Sequence, residues 1–508
     1  MIFDLTVPSA LMQALGPDLL LMAGAMLLLL WAAWRPESAA HQRAVGQASL
    51  VLTLATLGAV IYYAVRDVSA SPGVIAVDNF RWTADAIILI ATFCTIALSI
   101  DYNEREEILP AESHVMVLFA TSGMMLLAAA RDLMIVFLGI ELMSVAVYVL
   151  AGLNRRSARA AEGALKYFLL GAFSTGFLLY GIALVYGATA STDFTTIGIR
   201  VAQYRLLDSP MLMVGIALLL VGFAFKVAAV PFHMWAPDVY EGAPTPITAY
   251  MAAAVKAAAF AAFLRIFLEA FPDVFVRWHA PVWWLAVATM VAGNVIALAQ
   301  RNIKRLLAYS SIAHAGYVLV ALATGTPAGS SAFLFYLFAY TLATMGAFAV
   351  VVALGNAGEP NLSLADFGGL WRTRPWLAVA MSIFMLALLG FPVFGGIGFF
   401  AKWYVLQAAL RMAAPQTRLA VVLVLTSVIS AGYYLYVVMV MFMRPRPEGA
   451  VTPRPLGGLT GLIIGATAVL ILAFGLYPNP IVRITAASEP RAPGLTTAPP
   501  PLRAARVR

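Results

Sequence analysis

The sequence contains about fourteen apolar runs of roughly twenty residues, and no other feature limits so strongly what the chain can fold into. A helix of that length spans about 30 Å of bilayer hydrocarbon. Lipid offers no water to unpaired backbone groups, so each run is expected to be a transmembrane helix. With 62% hydrophobic and only 11% charged residues, the chain is expected to be an all-α polytopic membrane protein. The runs centre near Leu27, Leu54, Ala91, Met124, Glu141, Phe177, Leu220, Ala258, Met290, Ala313, Tyr340, Phe384, Leu425 and Ala468.

The positions of Lys and Arg predict the orientation, because these residues are enriched in short cytoplasmic loops. If the N-terminus faces out, the inside loops hold most of them, including Arg155, Arg156, Arg301 and Arg305. An even number of spans then places both termini on the outer side. The net charge of +8 mainly reflects this topology, so we do not expect nucleic-acid binding.

Cysteine content and the start of the chain add two expectations. Cys94 is the only cysteine, so this chain alone can form neither an internal disulfide nor a cysteine-ligated iron–sulfur or zinc site. No Lys or Arg precedes the first apolar run, which therefore lacks the basic region of a cleaved secretory signal. We expect the first span to be permanent.

Four ionisable residues lie deep inside the apolar runs: Glu141, Lys226, Lys256 and Lys402. A charge at the centre of a spanning helix costs about 3 kcal/mol or more on insertion scales, so each needs a reason. The alternative explanations are that the long lysine side chains reach the membrane surface along apolar neighbours and that Glu141 has only a structural pairing role. The movement of protons or ions explains all four together.

A weaker set of candidates is Lys166, His233, Lys304 and His314. His314 lies inside the tenth span and can equally form a hydrogen bond between helices. Lys304 precedes it by ten residues, roughly 15 Å along a helix, and is expected to mark the inner mouth of the same path. Lys166 lies at the start of the sixth span, where it can equally be one of the basic residues that set the membrane orientation. The proline between Lys226 and His233 prevents any inference about a shared face.

Two spans are interrupted in the middle. Span seven contains Pro231 after Lys226, and span twelve contains Gly390, Pro392 and Gly395 before Lys402. Proline breaks a helix, and at membrane depth a break is tolerated only where it faces protein or a wet cavity. The breaks lie five spans apart, which places equivalent units in opposite orientations. An offset of an odd number of spans predicts an inverted repeat. In transporters such breaks mark the translocation site.

The residue types favour protons over sodium. Burial disfavours the charged form of a lysine, and a nearby carboxylate favours it, so a lysine beside a movable carboxylate can load and release a proton. Sodium prefers a cage of oxygen ligands, and an ammonium group in the path repels it. This argument disfavours sodium without excluding it.

Several of these segments resemble one known family. The residues Phe-Leu-Gly-Ile-Glu-Leu-Met-Ser surround Glu141, and Phe-Lys-Val-Ala-Ala-Val-Pro-Phe-His-Met-Trp begins just before Lys226. Ala-Leu-Lys-Tyr-Phe-Leu-Leu-Gly contains Lys166, and Arg-Asn-Ile-Lys-Arg-Leu-Leu-Ala-Tyr-Ser-Ser-Ile-Ala-His runs through Lys304 to His314. Over about residues 10–480 the chain resembles the antiporter-like subunits of respiratory NADH:quinone oxidoreductase, complex I. Within that superfamily the pattern is closest to the bacterial N-subunit family.

The resemblance implies fourteen helices with two inverted five-helix repeats, spans four to eight and nine to thirteen, each with a broken helix. The implied organisation is three N-terminal helices in 1–113, the first repeat in 114–270, the second repeat in 271–443, a last helix in 444–485, and a disordered Pro/Arg-rich tail in 486–508. It also implies that Glu141 and Lys226 form a charged pair, that Lys256 is the central relay, and that Lys402 is the outer terminal relay.

The implied function is proton translocation coupled to NADH:quinone oxidoreduction in neighbouring subunits, in a bacterial inner membrane. No cofactor is expected in this chain, whereas NADH, FMN, iron–sulfur clusters and quinone are expected in partner subunits. Expected partners are neighbouring antiporter-like subunits, the lateral helix of the L subunit, and lipids. The alternatives are a subunit of a multisubunit cation/proton antiporter or of a membrane-bound hydrogenase, and a structural scaffold or quinone-binding wall.

Overall fold

The computed structural model describes residues 2–3, 7–70, 73–359, 362–393, 395–447, 455–488 and 490. Within these residues the chain is almost entirely helical, and each of the fourteen predicted span centres falls inside a helix. The predicted all-α polytopic fold is confirmed. Most of the predicted tail, residues 491–508, lies outside the described residues, whereas Ala486 is the last residue of a short helix.

The N-terminal part consists of a short entry helix followed by three long helices. Two short strands, β1 (Ile2–Phe3) and β2 (Ser69–Ala70), pair in parallel beside them. The helices are α1 (Pro8–Ala14), α2 (Gly16–Trp34), α3 (Ala39–Val65) and α4 (Asn79–Arg105).

The next part contains the first interrupted span. Its α9 ends at Lys226, and a short helix resumes only at Ala236. A single π turn, Met251–Val255, separates the last two helices, so that Thr245–Glu269 forms one long segment. The helices are α5 (Glu112–Ala129), α6 (Leu133–Ala151), α7 (Ala158–Thr189), α8 (Phe194–Gln203), α9 (Pro210–Lys226), α10 (Ala236–Gly242), α11 (Thr245–Tyr250) and α12 (Lys256–Glu269), with a 3-10 turn at Leu206–Asp208.

The remaining part contains the second interrupted span, which stops at Leu389 and restarts at Ile397. Gly390 and Gly396 flank this gap with φ angles of 75° and 51°, a region that only glycine adopts without strain. The helices are α13 (Phe275–Ala297), α14 (Ile303–Thr324), α15 (Pro327–Leu354), α16 (Leu370–Thr373), α17 (Pro375–Leu389), α18 (Ile397–Leu410), α19 (Thr417–Met443), α20 (Gly458–Leu476) and α21 (Asn479–Ala486), with a 3-10 turn at Leu364–Phe367.

Twelve helical segments of the described chain are long and apolar enough to cross a membrane. The two interrupted spans, built from the shorter apolar helices α9, α17 and α18, bring the number to the fourteen predicted from the sequence. The last of the fourteen, α20, is shorter than the predicted range 444–485, because α21 forms a separate helix after Tyr477.

One local structure occurs twice in the fold. The backbone next to Asp132, the N-cap of α6, pairs with the segment around Asp193 that follows α7. The backbone next to Asn302, the N-cap of α14, pairs in the same antiparallel way with the segment around Ser363 that follows α15. Each pairing closes with two N–H···O bonds of 2.8–3.0 Å. The two copies belong to spans five and six and to spans ten and eleven, five spans apart.

The most buried helices lie at the centre of the molecule. The segment Thr245–Glu269 and helix α14 are buried along nearly their whole length, and α15 is buried almost as completely. Helices α2, α3, α7, α19 and α20 surround them and expose many large apolar side chains. The central helices carry Lys256, Lys304 and His314, so these polar groups lie at the core of the protein.

Helices α5 and α6 approach closely enough that an added side chain has no room. A Cβ atom on Gly123 would lie 2.5 Å from the backbone nitrogen of Met143 and 3.0 Å from the carbonyl oxygen of Gly139. Overpacking typically costs about 1–3 kcal/mol, and more where the obstacle is backbone. We expect Gly123→Val to reduce the amount of folded protein in membranes severalfold, measured by immunoblot. Gly58→Val is the matched control, because a Cβ atom there meets nothing within 4 Å.

Candidate functional site

Lys226 is the last residue of α9, so the helix breaks at the lysine itself. Its ammonium group donates to the hydroxyl of Ser144 at 2.7 Å and lies 3.4 Å from the hydroxyl of Tyr148, both on α6. The rings of Tyr148 and Tyr167 lie 5.4 and 5.8 Å away, within the range of cation–π attraction. The group is thus surrounded by neutral hydroxyls and aromatic faces.

Glu141 and Lys226 form no ion pair within 4.0 Å. Among the ion pairs of the described residues none joins the two side chains, so the structure does not show the charged pair that the resemblance implied. The reason is geometric: Ser144 stands one turn after Glu141 on the same face of α6 and receives the lysine instead. Glu141 itself is half-buried.

Lys256 follows the π turn of the segment Thr245–Glu269 and is 3% exposed. Its ammonium group donates to the carbonyl oxygen of Ser311 at 2.7 Å and to the hydroxyl of the same residue at 2.5 Å. Single π turns inside α-helices are frequent at functional sites. The alanine-rich sequence before Lys256 gives no sign of this one.

Lys402 lies in α18, just after the gap in span twelve, and is 8% exposed. Its ammonium group donates to the carbonyl oxygen of Leu389 at 2.8 Å and lies 4.6 Å from the centre of the Tyr317 ring. Leu389 is the last residue of α17, so its carbonyl is one of those that a helix end leaves without a backbone partner. The lysine thus caps one half of the interrupted span.

Helix α14 connects the surroundings of Lys256 and Lys402. It supplies Ser311 to Lys256 and the Tyr317 ring to Lys402, and His314 lies between these two residues. The His314 imidazole is 2.6 Å from the hydroxyl of Tyr336 and 3.0 Å from that of Tyr434. These contacts place His314 within a buried cluster of hydroxyl groups on the way from one lysine to the other.

Lys304 and Lys166 lie towards the end of the molecule where α14 begins. Lys304 is fully buried and donates to the Glu359 carboxylate at 2.9 Å and to the carbonyl oxygen of Ala243 at 2.6 Å. Lys166 is 42% exposed and forms ion pairs with Glu162 and Asp238 at 2.6 and 2.8 Å. Its exposure separates it from the buried lysines.

His233 lies in the irregular segment between α9 and α10 and is half-buried. Its carbonyl accepts the backbone N–H of Ala236, but no hydrogen bond of the described residues joins its ring to Lys226. The segment is fixed instead by Trp235, whose indole N–H donates to the carbonyl oxygen of Phe225, and by Thr289, which accepts from the backbone of Val230.

Several polar partners were not foreseen from the sequence. Ser144 and Ser311 receive two of the lysines, and Glu359 receives Lys304. Both serines lie in the quoted motifs, one turn after Glu141 and just before His314, so their positions offered a signal. Glu359 lies in a loop after α15, where nothing in the sequence marks a buried carboxylate.

The three lysines of the interrupted spans and the π turn share one property. Lys226, Lys256 and Lys402 are at most 8% exposed, and within the described residues none has a carboxylate within the 4.0 Å of an ion pair. Each donates only to neutral oxygens. A buried ammonium group without a counter-ion can give up its proton at small cost, so this arrangement suits proton transfer.

Comparison with known proteins identifies the family. The family described as NADH:quinone oxidoreductase/Mrp antiporter, TM, matches residues 130–430. The NADH-quinone oxidoreductase subunit N of Gemmatimonas aurantiaca is 53% identical over 490 residues, which cover 95% of this chain and 94% of the relative. The protein of the same name from Trichlorobacter lovleyi is 51% identical over 381 residues, covering 75% of this chain and 77% of the relative.

Solved structures agree with this. A chain of respiratory complex I from Thermus thermophilus with bound aureothin superposes with a TM-score of 0.79 at 36% identity, covering 93% of this chain and 99% of that chain. A chain of the Mrp complex from a Dietzia species superposes with a TM-score of 0.81, covering 94% of this chain and 97% of that one. At 22% identity, the second likeness shows the fold alone.

Proposed function

Because the chain belongs to the N-subunit family of NADH-quinone oxidoreductase, the proton-translocating membrane subunits of complex I, we propose that Glu141, Lys226, Lys256 and Lys402 form its proton path. One observation carries this assignment: three lysines lie buried at the centre of a membrane protein without a carboxylate partner. A buried charge left unpaired is strongly destabilising, so a purely structural role gives no reason to keep three of them.

The contacts suggest an order of proton carriers. A proton held on Lys226 lies one hydroxyl away from the α6 face that carries Glu141. Lys256 and Lys402 follow along α14, with His314 and its tyrosine hydroxyls between them. In this proposal Glu141 acts through its charge and through Ser144, and Lys402 is the outer terminal relay. Lys166, His233 and Lys304 have secondary roles.

The chain is a member of an oxidoreductase complex, and we propose that it performs no redox step itself. Its single cysteine cannot supply the several thiolates that an iron–sulfur cluster requires. NADH, FMN, iron–sulfur clusters and quinone are therefore assigned to partner subunits. Quinone reduction there would drive proton movement here through charge and conformation.

The chain is a multi-pass subunit of a multisubunit membrane complex. We propose that it lies in the bacterial inner membrane with both termini in the periplasm, as the distribution of Lys and Arg predicts. The partly exposed carboxylate of Glu141 would then face a neighbouring antiporter-like subunit, because a charge at that depth is costly against lipid. The apolar outer helices offer surfaces for the lateral helix of the L subunit and for lipids.

The variant Lys402→Gln tests the proposed function. Glutamine can still donate a hydrogen bond to the Leu389 carbonyl, but it cannot carry a proton. In inner-membrane vesicles, we expect NADH:quinone turnover and NADH-driven proton uptake to fall together by about tenfold, since positioned proton donors and acceptors contribute at least that much. NADH:ferricyanide activity, which reports the assembled complex, stays unchanged.

Arg277→Ala is the control, because the Arg277 side chain is 59% exposed and pairs with the exposed side chain of Asp208. Unchanged NADH activities in Lys402→Gln together with a lost cation/proton exchange would assign the chain to a multisubunit antiporter. Full activity of every kind in all variants of the four central residues would support the scaffold or quinone-binding wall.

A further inference from the structure

A polar cavity of about 490 Å³ opens at the end of the molecule where α4 and α15 end and α14 begins. The sequence predicts this end to be the cytoplasmic one. Charged residues from α4 and the following turn line the cavity, together with the loop after α15. The charged lining residues are Arg105, Glu106, Glu107, Arg156 and Glu359.

Glu359 connects this cavity to the buried interior. Its side chain is only 16% exposed, yet it lines the cavity and accepts the Lys304 ammonium group at 2.9 Å. The same carboxylate accepts from the hydroxyl of Tyr102 at 2.8 Å, from the backbone N–H of Thr245 at 3.3 Å, and from the Thr245 hydroxyl. One carboxylate therefore touches α4, α11 and α14 at once.

The backbone at Glu359 has a conformation that it shares with six other non-glycine residues of the described chain, Glu107 among them. The φ angle of Glu359 is 48°, in the left-handed region that residues other than glycine rarely adopt. The preceding residue, Gly358, donates its N–H to the Glu106 carboxylate at 2.8 Å, which holds the loop against α4. Strained residues of this kind persist where the surrounding structure fixes them, and they concentrate at functional sites.

Lys304 leads from Glu359 towards the lysines of the core. It is fully buried, and within the described part of the chain its ammonium group has one hydrogen-bond partner besides Glu359, the backbone carbonyl oxygen of Ala243. Seven residues of α14 separate Lys304 from Ser311, the partner of Lys256, which corresponds to about 10 Å along the helix. A few water molecules can bridge such a distance with hydrogen bonds.

We propose that Glu359 takes up protons from the polar cavity and passes them to Lys304, as the entrance to the path that leads to Lys256. A proton from the cavity binds the carboxylate and then moves to the neutral amine of Lys304 after that group has released its own proton inwards. The net change at both residues is zero, and one proton enters. This inference rests on the proposed function, because it adds an entrance to the same path.

The charges around Glu359 fit this task. Burial raises the pKa of Glu359. The charge of Lys304 and the hydrogen bonds from Thr245, Lys304 and Tyr102 together lower it by more, so the pKa lies below its ordinary value. The carboxylate is therefore ionised while Lys304 is charged, and it takes up a proton once Lys304 has become neutral and its positive charge no longer lowers the pKa of Glu359. The other charged groups nearby are Arg105 and Glu106 on the α4 side, which pair with each other at 3.1 Å, and the pair Glu107–Arg156 at the rim.

The test compares two glutamates of the same cavity in the purified whole complex. Glu359→Gln keeps the size and the acceptor oxygen but cannot carry a proton. Glu107→Gln is the matched control, because Glu107 is 68% exposed and pairs with Arg156 at the rim. NADH:quinone turnover is measured from acid to alkaline pH and normalised to NADH:ferricyanide activity, without and with added formate, a small carboxylate that can relay protons in place of the removed side chain.

For Glu359→Gln we expect turnover to fall by roughly tenfold, with the largest deficit at alkaline pH, where free protons are scarce. Formate should restore part of the turnover of Glu359→Gln, and Glu359→Asp should retain most of the turnover of the unmodified complex. Glu107→Gln should match the unmodified complex at every pH. A deficit that is independent of pH and insensitive to formate would overturn the inference and leave Glu359 as a structural partner of Lys304.

Two further outcomes are decisive. If Glu359→Gln does not assemble, Lys304→Arg decides instead: arginine keeps the ion pair with Glu359 but does not release its proton, so turnover should fall by roughly tenfold, and turnover equal to that of Glu107→Gln would overturn the inference. If Lys226→Ala lowers turnover but Glu359→Gln behaves like Glu107→Gln, only the entrance is wrong. If Lys226→Ala also leaves turnover unchanged, the proposed function itself fails.

Discussion

Replacing Lys226 by alanine should lower NADH:quinone turnover and NADH-driven proton uptake together, by at least about tenfold, as expected for the loss of a positioned proton carrier. The amount of assembled complex should stay normal. Removing an ammonium group that has no carboxylate partner also removes its burial cost, and Ser144 keeps its own hydrogen bond to the carbonyl oxygen of Ile140. Inner-membrane vesicles at native expression provide both measurements side by side.

Two variants at Glu141 distinguish the effect of its negative charge from the effect of its side-chain length. Glu141→Ala should resemble Lys226→Ala, because it removes the negative charge one turn from Ser144. Glu141→Asp keeps the charge on a shorter side chain and should retain part of the activity. The exposed Arg277→Ala serves again as the control. Loss of the assembled complex in Lys226→Ala, measured by NADH:ferricyanide activity, would favour a structural role for the lysine.

The second large effect is expected for Lys256→Arg. Arginine keeps the positive charge and can donate to Ser311, but its guanidinium group does not lose its proton in proteins. If Lys256 must release a proton, turnover and proton uptake should fall by about tenfold or more even though the charge is preserved. If a fixed positive charge is all that the site requires, Lys256→Arg should keep most of its activity.

A neutral variant completes this comparison. Lys256→Met has similar length, cannot be charged, and should assemble because its surroundings are largely alanine and other small or apolar residues. We expect it to be as inactive as Lys256→Arg. Activity in the arginine variant but not in the methionine variant would contradict proton release by Lys256. Both variants are normalised to NADH:ferricyanide activity.

The sequence was most informative where the membrane itself imposes the structure. A run of about twenty apolar residues has few alternatives to a helix in lipid, and all fourteen predicted centres lie in helices. Both interruptions were also predicted, because glycine and proline act locally: span twelve stops at Leu389, immediately before Gly390. Span seven stops at Lys226, five residues before Pro231, and the backbone between the two residues is irregular.

Contacts between helices that are distant in sequence could be predicted less well. The resemblance implied that Lys226 and Glu141 belong together, but only the tertiary fold places Ser144 of α6 in front of the lysine. The π turn before Lys256 has no sequence signal in a run of alanines. Glu359 lies in a loop and becomes buried only because α4, α11 and α14 meet there. The roles of these residues stay predictions until the variants are measured.

The bonds of the three unpaired lysines have a consequence for the neutral state of each side chain. A charged lysine offers three N–H groups, and the uncharged amine still offers two. Lys226 uses two acceptors, Lys256 uses two, and Lys402 uses one. Deprotonation therefore leaves every one of these hydrogen bonds with a donor, and helices α6, α14 and α17 keep their contacts in both states. The same packing can hold a full or an empty proton carrier, so the protein does not have to rebuild its core in every cycle.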